Sequence, residues 1–256
     1  MKSKLTISIA SILSVLVLVG VGFAAWVIIN PNVNKDAAGN ITAETVTDKS
    51  YTLDAQITGG EIVFGAPETM DNSKAWFTAD DKTAKEDLTA KLTLTLKYKD
   101  WSVIPNEFSV TMKTKKGEAD DTVFNSLRDG TDQALTGPLA KKNFIANPQI
   151  TYGSTTATVT MNGDAVKIAK TAFPDYKETD TTTDKTVTLD ITITFGWGTY
   201  FTVENTGVVN PYVFYNEKTY GEDTRKEANT VINAIAQLNT VKYVVTIDGT
   251  TNVNGK

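Results

Sequence analysis

Residues Thr186–Phe195 read TVTLDITITF, an unbroken alternation of polar and apolar side chains. Successive side chains of a strand point to opposite faces, so this alternation predicts a long strand with one dry and one wet face. The same pattern recurs in Tyr51–Ile57, Leu92–Tyr98 and Val241–Ile247. Half-buried strands separated by polar turns predict a mainly β domain over residues 51–256, an antiparallel β-sandwich of the jelly-roll kind.

The turns between strands predict two of the pairings. The strand at Phe108–Met112 follows Leu92–Tyr98 after a short connection, so we expect these two strands to be antiparallel neighbours. Asn162 and Gly163 stand between two alternating runs. Because both residue types tolerate positive φ, this pair predicts a tight β-hairpin.

Two helices are expected within the domain. Asp121 is positioned to cap a short helix that ends near Gly130. Thr224 and Glu227 have the spacing of a capping box and predict the start of a C-terminal amphipathic helix. Its apolar residues recur at helical spacing and form one stripe: Ala228, Val231, Ile232, Ile235 and Leu238.

Residues 1–29 begin with two lysines and continue from Leu5 as an uncharged, mostly apolar run. This pattern predicts a hydrophobic helix that acts as an export signal or as a membrane anchor. Small residues before Ala24–Ala25 favour cleavage between these two alanines. The continuation of the run through Trp26–Ile29 favours retention as an anchor, because tryptophan suits the membrane interface. In either case the rest of the chain is expected outside the cytoplasm.

Residues 30–50 separate this run from the first clear strand and are polar, with no sustained period. They are expected to form an extended linker or a donor strand, meaning a strand that adds to the sheet edge of a neighbouring copy.

The composition excludes several chemistries. There is no cysteine and no histidine, so disulfides, thiol catalysis, histidine-based triads and ordinary zinc sites are excluded. A net charge of −5 argues against nucleic acid as a partner. A bound metal would be a hard ion such as calcium, with Asp180 and Asp184 as candidate ligands, unless these carboxylates are only solvated loop charge. No other cofactor and no enzymatic activity are expected.

An aromatic stretch follows the longest strand. Gly196 and Gly198 flank Trp197 and predict a bulge or kink in the chain. Trp197, Tyr200 and Tyr212 are candidate glycan-binding aromatics, because an exposed ring stacks on the apolar face of a sugar. The alternative is that these side chains fill the core where the kinked strand meets the helix.

The segment Ser8–Trp26, SIASILSVLVLVGVGFAAW, resembles the leaders of the TasA and camelysin group. The similarity lies in the basic start, the Leu/Val-rich centre, the two glycines and the alanine pair before an aromatic residue. Proteins of that group are exported by Gram-positive bacteria and processed by a SipW-type signal peptidase. The resemblance implies a jelly-roll protein that forms matrix filaments, the N-terminal segment of each subunit completing the sheet of the next.

These observations lead to one expected function and one alternative. The expected function is a non-enzymatic, exported structural protein of the cell surface or of an extracellular biofilm matrix, with itself as partner if it forms filaments by strand exchange. The alternative is a carbohydrate-binding module or adhesin that binds cell-wall glycan and is tethered to the membrane by residues 1–29.

Overall fold

The computed structural model describes residues 26–27, 41–46, 51–60, 62–64, 87–177, 183–219 and 221–249. The predicted cleavage residues Ala24 and Ala25 and the candidate calcium ligand Asp180 lie outside the described residues. The strands within them are β1 (Trp26–Val27), β2 (Ile41–Val46), β3 (Tyr51–Gly59), β4 (Thr89–Tyr98), β5 (Glu107–Lys116), β6 (Ala119–Asp120), β7 (Ile145–Tyr152), β8 (Thr155–Thr158), β9 (Val166–Ala169), β10 (Lys185–Trp197), β11 (Thr202–Val203), β12 (Gly207–Val208) and β13 (Lys242–Asp248).

The first sheet has the strand order β1-β2-β13-β5-β6, and β9 also pairs with β5. Its pairs are antiparallel except for β2 and β13, which run parallel with Ile41 opposite Tyr243 and Thr45 opposite Ile247. The first and the last described long strands of this sheet are therefore direct neighbours.

The second sheet has the order β3-β4-β10-β7-β8, and every pair in it is antiparallel. The strand β10 contains the alternating stretch Thr186–Phe195 and lies at the centre of this sheet. A small separate ladder joins β11 to β12.

The dry faces of the two sheets share one hydrophobic core. Alternation along β4 illustrates the pattern, since Leu92, Leu94 and Leu96 are at most 1% exposed while Lys91 and Lys97 face solvent. The predicted mainly β sandwich with antiparallel sheets is confirmed, with one parallel pair added to it.

The described helices are α1 (Val123–Asp129), α2 (Pro211–Asn216) and α3 (Glu222–Ala236). The side chain of Asp121 accepts a hydrogen bond of 2.8 Å from the amide of Val123, and α1 ends at Gly130 with a φ of 67°. Short 3-10 turns occur at Trp101–Val103, Gly137–Leu139, Lys170–Ala172, Thr199–Phe201 and Gln237–Thr240. The predicted C-terminal stripe is buried, as Ala228, Val231, Ile232, Ile235 and Leu238 are all at most 4% exposed.

The predicted pairing of Leu92–Tyr98 with Phe108–Met112 is wrong, because β4 and β5 belong to different sheets. The 3-10 turn at Trp101–Val103 carries the chain from one sheet to the other, and Ile104 beyond it is 3% exposed. Strands of opposite sheets bury their dry faces in the same core, so their alternation does not distinguish them from neighbours in one sheet.

The predicted hairpin at Asn162 and Gly163 is also wrong. The strands before and after this pair lie in different sheets, since β8 pairs with β7 and β9 pairs with β5. Asn162 does adopt the expected positive φ, 55°. Its side chain accepts from the amide of Thr114 at 3.0 Å and donates to the carbonyl of Asp121 at 3.0 Å, so it joins the crossing segment to the first sheet.

The predicted N-terminal helix does not include Trp26 and Val27. These residues form β1, with Trp26 opposite Val46 and Val27 opposite Thr45 of β2. Within the segment 30–50, β2 is extended and pairs with β13 of its own chain.

Candidate functional site

The aromatic stretch after β10 begins at an irregularity in the second sheet. The register of β10 against β7 shifts between Thr194 and Gly196, just before Trp197, around which a bulge or kink is predicted. At Gly198 an added Cβ atom would collide with the backbone of Asn143, so the close approach of the two chains requires glycine there. The amide of Gly198 donates to the carbonyl of Phe144 at 2.9 Å and fixes the start of the turn Thr199–Phe201.

Phe201 is the centre of the aromatic cluster that this turn builds. Its side chain is 0% exposed. The centroids of five other rings lie 5.1–6.5 Å from its own, namely those of Phe144, Trp197, Tyr200, Phe214 and Tyr215. Most of these contacts are edge-to-face or tilted, which is the preferred arrangement of packed aromatic side chains.

The three candidate glycan-binding aromatics do not form a common exposed strip. Tyr212 is 2% exposed. Trp197 is partly buried and meets the ring of Phe201 edge-on at an interplanar angle of 88°. Tyr200 is partly buried and lies 4.7 Å from the ring of Phe144. Within the described residues Val208 is the one large hydrophobic side chain that is strongly exposed, so no aromatic platform for a sugar is found there.

Glu227 of α3 joins this cluster to the helices. Its Oε1 atom accepts a hydrogen bond of 2.6 Å from the phenol of Tyr200 and one of 2.9 Å from the ammonium group of Lys218. The phenols of Tyr200 and Tyr215 are 3.4 Å apart, and the ammonium group of Lys218 lies 4.4 Å from the ring centroid of Phe214. We call Tyr200, Tyr215, Lys218 and Glu227 the Glu227 clasp.

The predicted capping box of Thr224 and Glu227 is wrong. The helix begins earlier, with Gly221 as its N-cap residue and no side-chain cap. Thr224 therefore lies inside the first turn of the helix. The side chain of Glu227 makes its hydrogen bonds with Tyr200 and Lys218 and not with the N-terminus of the helix. A spacing of three residues between threonine and glutamate also places both on one helix face, so the motif alone does not identify the partner of the glutamate.

The surroundings of the clasp shift the pKa values of its phenols and of its carboxyl group. Burial and the nearby Glu227 carboxylate raise the pKa of Tyr200, and burial and the phenol of Tyr200 raise the pKa of Tyr215. Burial by itself would raise the pKa of Glu227, but hydrogen bonds from Tyr200 and Lys218 outweigh it and hold this pKa below the usual value. Neutral phenols thus face an ionised carboxylate and an ammonium group.

This geometry fastens three elements together. The partners come from the turn Thr199–Phe201, from α2 and the residues after it, and from α3. Phenols with raised pKa values are poor nucleophiles and poor bases near neutral pH, and the carboxylate already accepts two short hydrogen bonds. The clasp is therefore suited to holding the helices on the sandwich.

The candidate calcium ligand Asp184 lies on the surface. Its side chain is 80% exposed and its Oδ1 atom is 3.6 Å from the ammonium group of Lys99. Among the described residues no group of three acidic side chains is placed to hold a metal ion.

A second candidate site is the side of the sandwich where the first sheet ends in β1 and β2 and the second sheet ends in β3. The strands β2 and β3 contact each other, so both lie on the same side. On the opposite side the sheets end in β6, β8 and β9, which are 2, 4 and 4 residues long, whereas β3 has 9 residues. In the described part of the chain, β1 covers β2 only at Thr45 and Val46, and β3 has a strand partner on one edge only.

Sequence reasoning did not find Lys218, the second partner of Glu227, or the open side at β2 and β3. A lysine between two helices gives no periodic signal, and the strand order depends on pairings that alternation does not encode.

No protein family, no curated protein and no solved structure matches this chain. Within the described residues, none of the helices has both the length and the apolar character needed to cross a membrane.

Proposed function

We propose that this chain is an exported, non-enzymatic structural protein of the cell surface or extracellular matrix that assembles by exchange of its N-terminal strand β2. Its export is inferred from residues 1–29, whose basic start and apolar run have the form of an export signal. Its assembly is inferred from the asymmetry of the two sides of the sandwich.

That asymmetry is the observation on which the assembly proposal depends. Proteins protect sheet edges with very short strands, because a long edge strand offers a row of backbone groups to another chain. Strands of two to four residues end both sheets on one side. On the other side the second sheet ends in the nine-residue β3. The first sheet ends there in the two-residue β1, which covers the outer edge of β2 at two described positions, and the other edge of β2 pairs with β13.

Exchange of β2 would preserve every pairing seen within one chain. The ladder from Ile41–Tyr243 to Thr45–Ile247 is the same whether β2 comes from its own chain or from a neighbour. Residues 47–50 connect β2 to β3 and would serve as the hinge. A head-to-tail exchange of this kind gives a filament when the rotation between successive subunits does not close a ring.

The predicted cleavage site agrees with this arrangement. Cleavage between Ala24 and Ala25 would place the new N-terminus one residue before β1, at the outer end of the first sheet. Export and assembly would thus involve the same end of the chain.

Cysteine cross-linking tests the exchange directly, because the chain contains no cysteine. Glu44 and Thr246 are opposite each other in the β2–β13 ladder. The mature variants Glu44→Cys and Thr246→Cys are mixed, refolded together at high concentration and treated with a short bismaleimide. Exchange predicts a cross-linked dimer containing one chain of each variant, and electron microscopy of the unmodified protein should show filaments.

Thr93 and Asp190 provide the matched control, since they are opposite each other in the ladder between β4 and β10. Thr93→Cys mixed with Asp190→Cys should give no dimer above background, because both strands stay within one chain. Equal dimer yields for the two mixtures, together with a monomer peak at every concentration, would refute assembly by exchange.

A further inference from the structure

A cleft lies at the end of the second sheet where β3 begins, β4 ends and β10 begins. Its volume is about 290 Å³, and its lining consists of Tyr51, Thr52, Lys97, Tyr98, Lys99, Asp184, Lys185 and Thr186. It is separate from the Glu227 clasp and from the ladder of β2 and β13.

The described lining of the cleft is more basic than the chain as a whole. Its lining has three lysines and one aspartate, whereas the chain has a net charge of −5. Lys97 and Lys99 have exposed side chains, 57% and 79%, and their carboxylate partners Asp54 and Asp184 are 4.0 and 3.6 Å away. Ion pairs this long and this exposed are weak, so a ligand with phosphate groups could replace the carboxylates.

The lining also limits the shape of the ligand. Tyr51 is 4% and Tyr98 is 3% exposed, so neither offers a ring face on which a nucleobase or a sugar ring could stack. Hydroxyl groups are available instead, because Thr52 and Thr186 flank Lys97 in the adjoining strands. Point charges from lysine together with hydroxyls suit a phosphate group on a flexible, ring-free chain.

We propose that this cleft binds a phosphodiester polymer with an acyclic polyol backbone. Lys97, Lys99 and Lys185 would neutralise phosphate groups, and the two threonines would hydrogen-bond to phosphate or polyol oxygens. This proposal rests on the proposed function in one respect: a protein of the cell surface or extracellular matrix would be located where it can meet such a polymer. Binding to the cleft does not depend on strand exchange, so either can fail without the other.

The test uses the mature protein and fluorescently labelled poly(glycerol phosphate), with affinity measured by anisotropy at several salt concentrations. The double variant Lys97→Gln/Lys99→Gln should bind about five-fold more weakly for each lysine removed. Its plot of log affinity against log salt should be shallower by about 0.7–1 for each lysine. Asp184→Asn removes the competing carboxylate and should bind more tightly than the unmodified protein.

The matched control is Lys91→Gln/Lys113→Gln, which removes the same charge outside the cleft. Lys91 lies on the wet face of β4, and Lys113 has an exposed carboxylate partner, Asp120, at 3.5 Å. An equal loss of affinity in this control would overturn the proposal, because total charge and not the cleft would then decide binding. Equal or tighter binding of an oligothymidylate with the same number of phosphates would overturn it as well, since the cleft should not favour a base-bearing chain.

Discussion

Substitution of Asn162 should reveal two separable costs, one from the backbone and one from a buried amide. Asn162 has a φ of 55°, a conformation that alanine adopts at a cost of about 1–2 kcal/mol and glycine adopts freely. Its side chain is the acceptor for the amide of Thr114, a residue that is 0% exposed. An unsatisfied buried amide costs about 1–3 kcal/mol.

These values predict an order of stability. Asn162→Gly should lose about 2 kcal/mol of unfolding free energy, from the lost side-chain hydrogen bonds, and Asn162→Ala about 3–4 kcal/mol, from these bonds and the backbone conformation. Asn162→Asp keeps the acceptor for Thr114 but turns a carboxylate oxygen toward the carbonyl of Asp121, so it should also lose stability. Urea unfolding followed by tryptophan fluorescence gives these free energies, provided that the m-value is unchanged.

Asn205 is the control, because it shares the backbone conformation without the buried partner. Its φ is 62° and it lies exposed in the turn between β11 and β12. Asn205→Ala should cost about 1 kcal/mol and Asn205→Gly close to nothing. Equal stability of the alanine and glycine variants of Asn162 would refute the backbone cost, and a cost of Asn162→Gly no larger than that of Asn205→Gly would refute the hydrogen-bond cost.

Three further predictions concern the helix, the clasp and the leader. Ile235→Ala should cost about 2–4 kcal/mol in urea unfolding, because Ile235 is 1% exposed; a loss within error would contradict its place in the core. The folded pKa of Glu227 lies below its unfolded value of about 4.3, so its contribution to stability is present above that pH and disappears as the pH falls through the folded pKa. Unfolding curves from pH 7 to 3 should therefore show a smaller acid loss for Glu227→Gln, and parallel losses would contradict the clasp. Leu16→Asp with Leu18→Asp should add about 3 kcal/mol each to membrane insertion and abolish export, which cell fractionation measures; normal export would contradict the signal.

The individual strands could be predicted from the sequence because alternation is a local property. Each face of Thr186–Phe195 is defined by side chains two residues apart, and the structure places its dry face in the core. The short helix after Asp121 was equally accessible, although its N-cap residue is Thr122 and not Asp121. The Asp121 side chain that accepts from the amide of Val123 and the final Gly130 are both local signals.

The pairing of strands and the role of Glu227 could not be predicted in this way. A turn such as Asn162–Gly163 specifies a backbone conformation, but that conformation serves a hairpin and a crossing between sheets equally well. Similarly, Glu227 has the spacing of a helix cap, and only its proximity to Tyr200 and Lys218 in the folded chain determines its partners. Contacts between residues distant in sequence leave no periodic trace.

The parallel ladder between β2 and β13 has a consequence for the order of folding. β13 lies inside the first sheet, between β2 and β5, although it is the last of the described strands. The pairs that β13 makes with β2 and β5 therefore cannot form until the chain is available up to residue 248, and pairing between strands this distant in sequence is intrinsically slow. This topology would favour a chain that crosses a membrane unfolded, because a chain that began to fold early on the cytoplasmic side would still lack β13, the middle strand of the first sheet. If the chain is exported as proposed, this strand order would delay closure of the first sheet until translocation is complete.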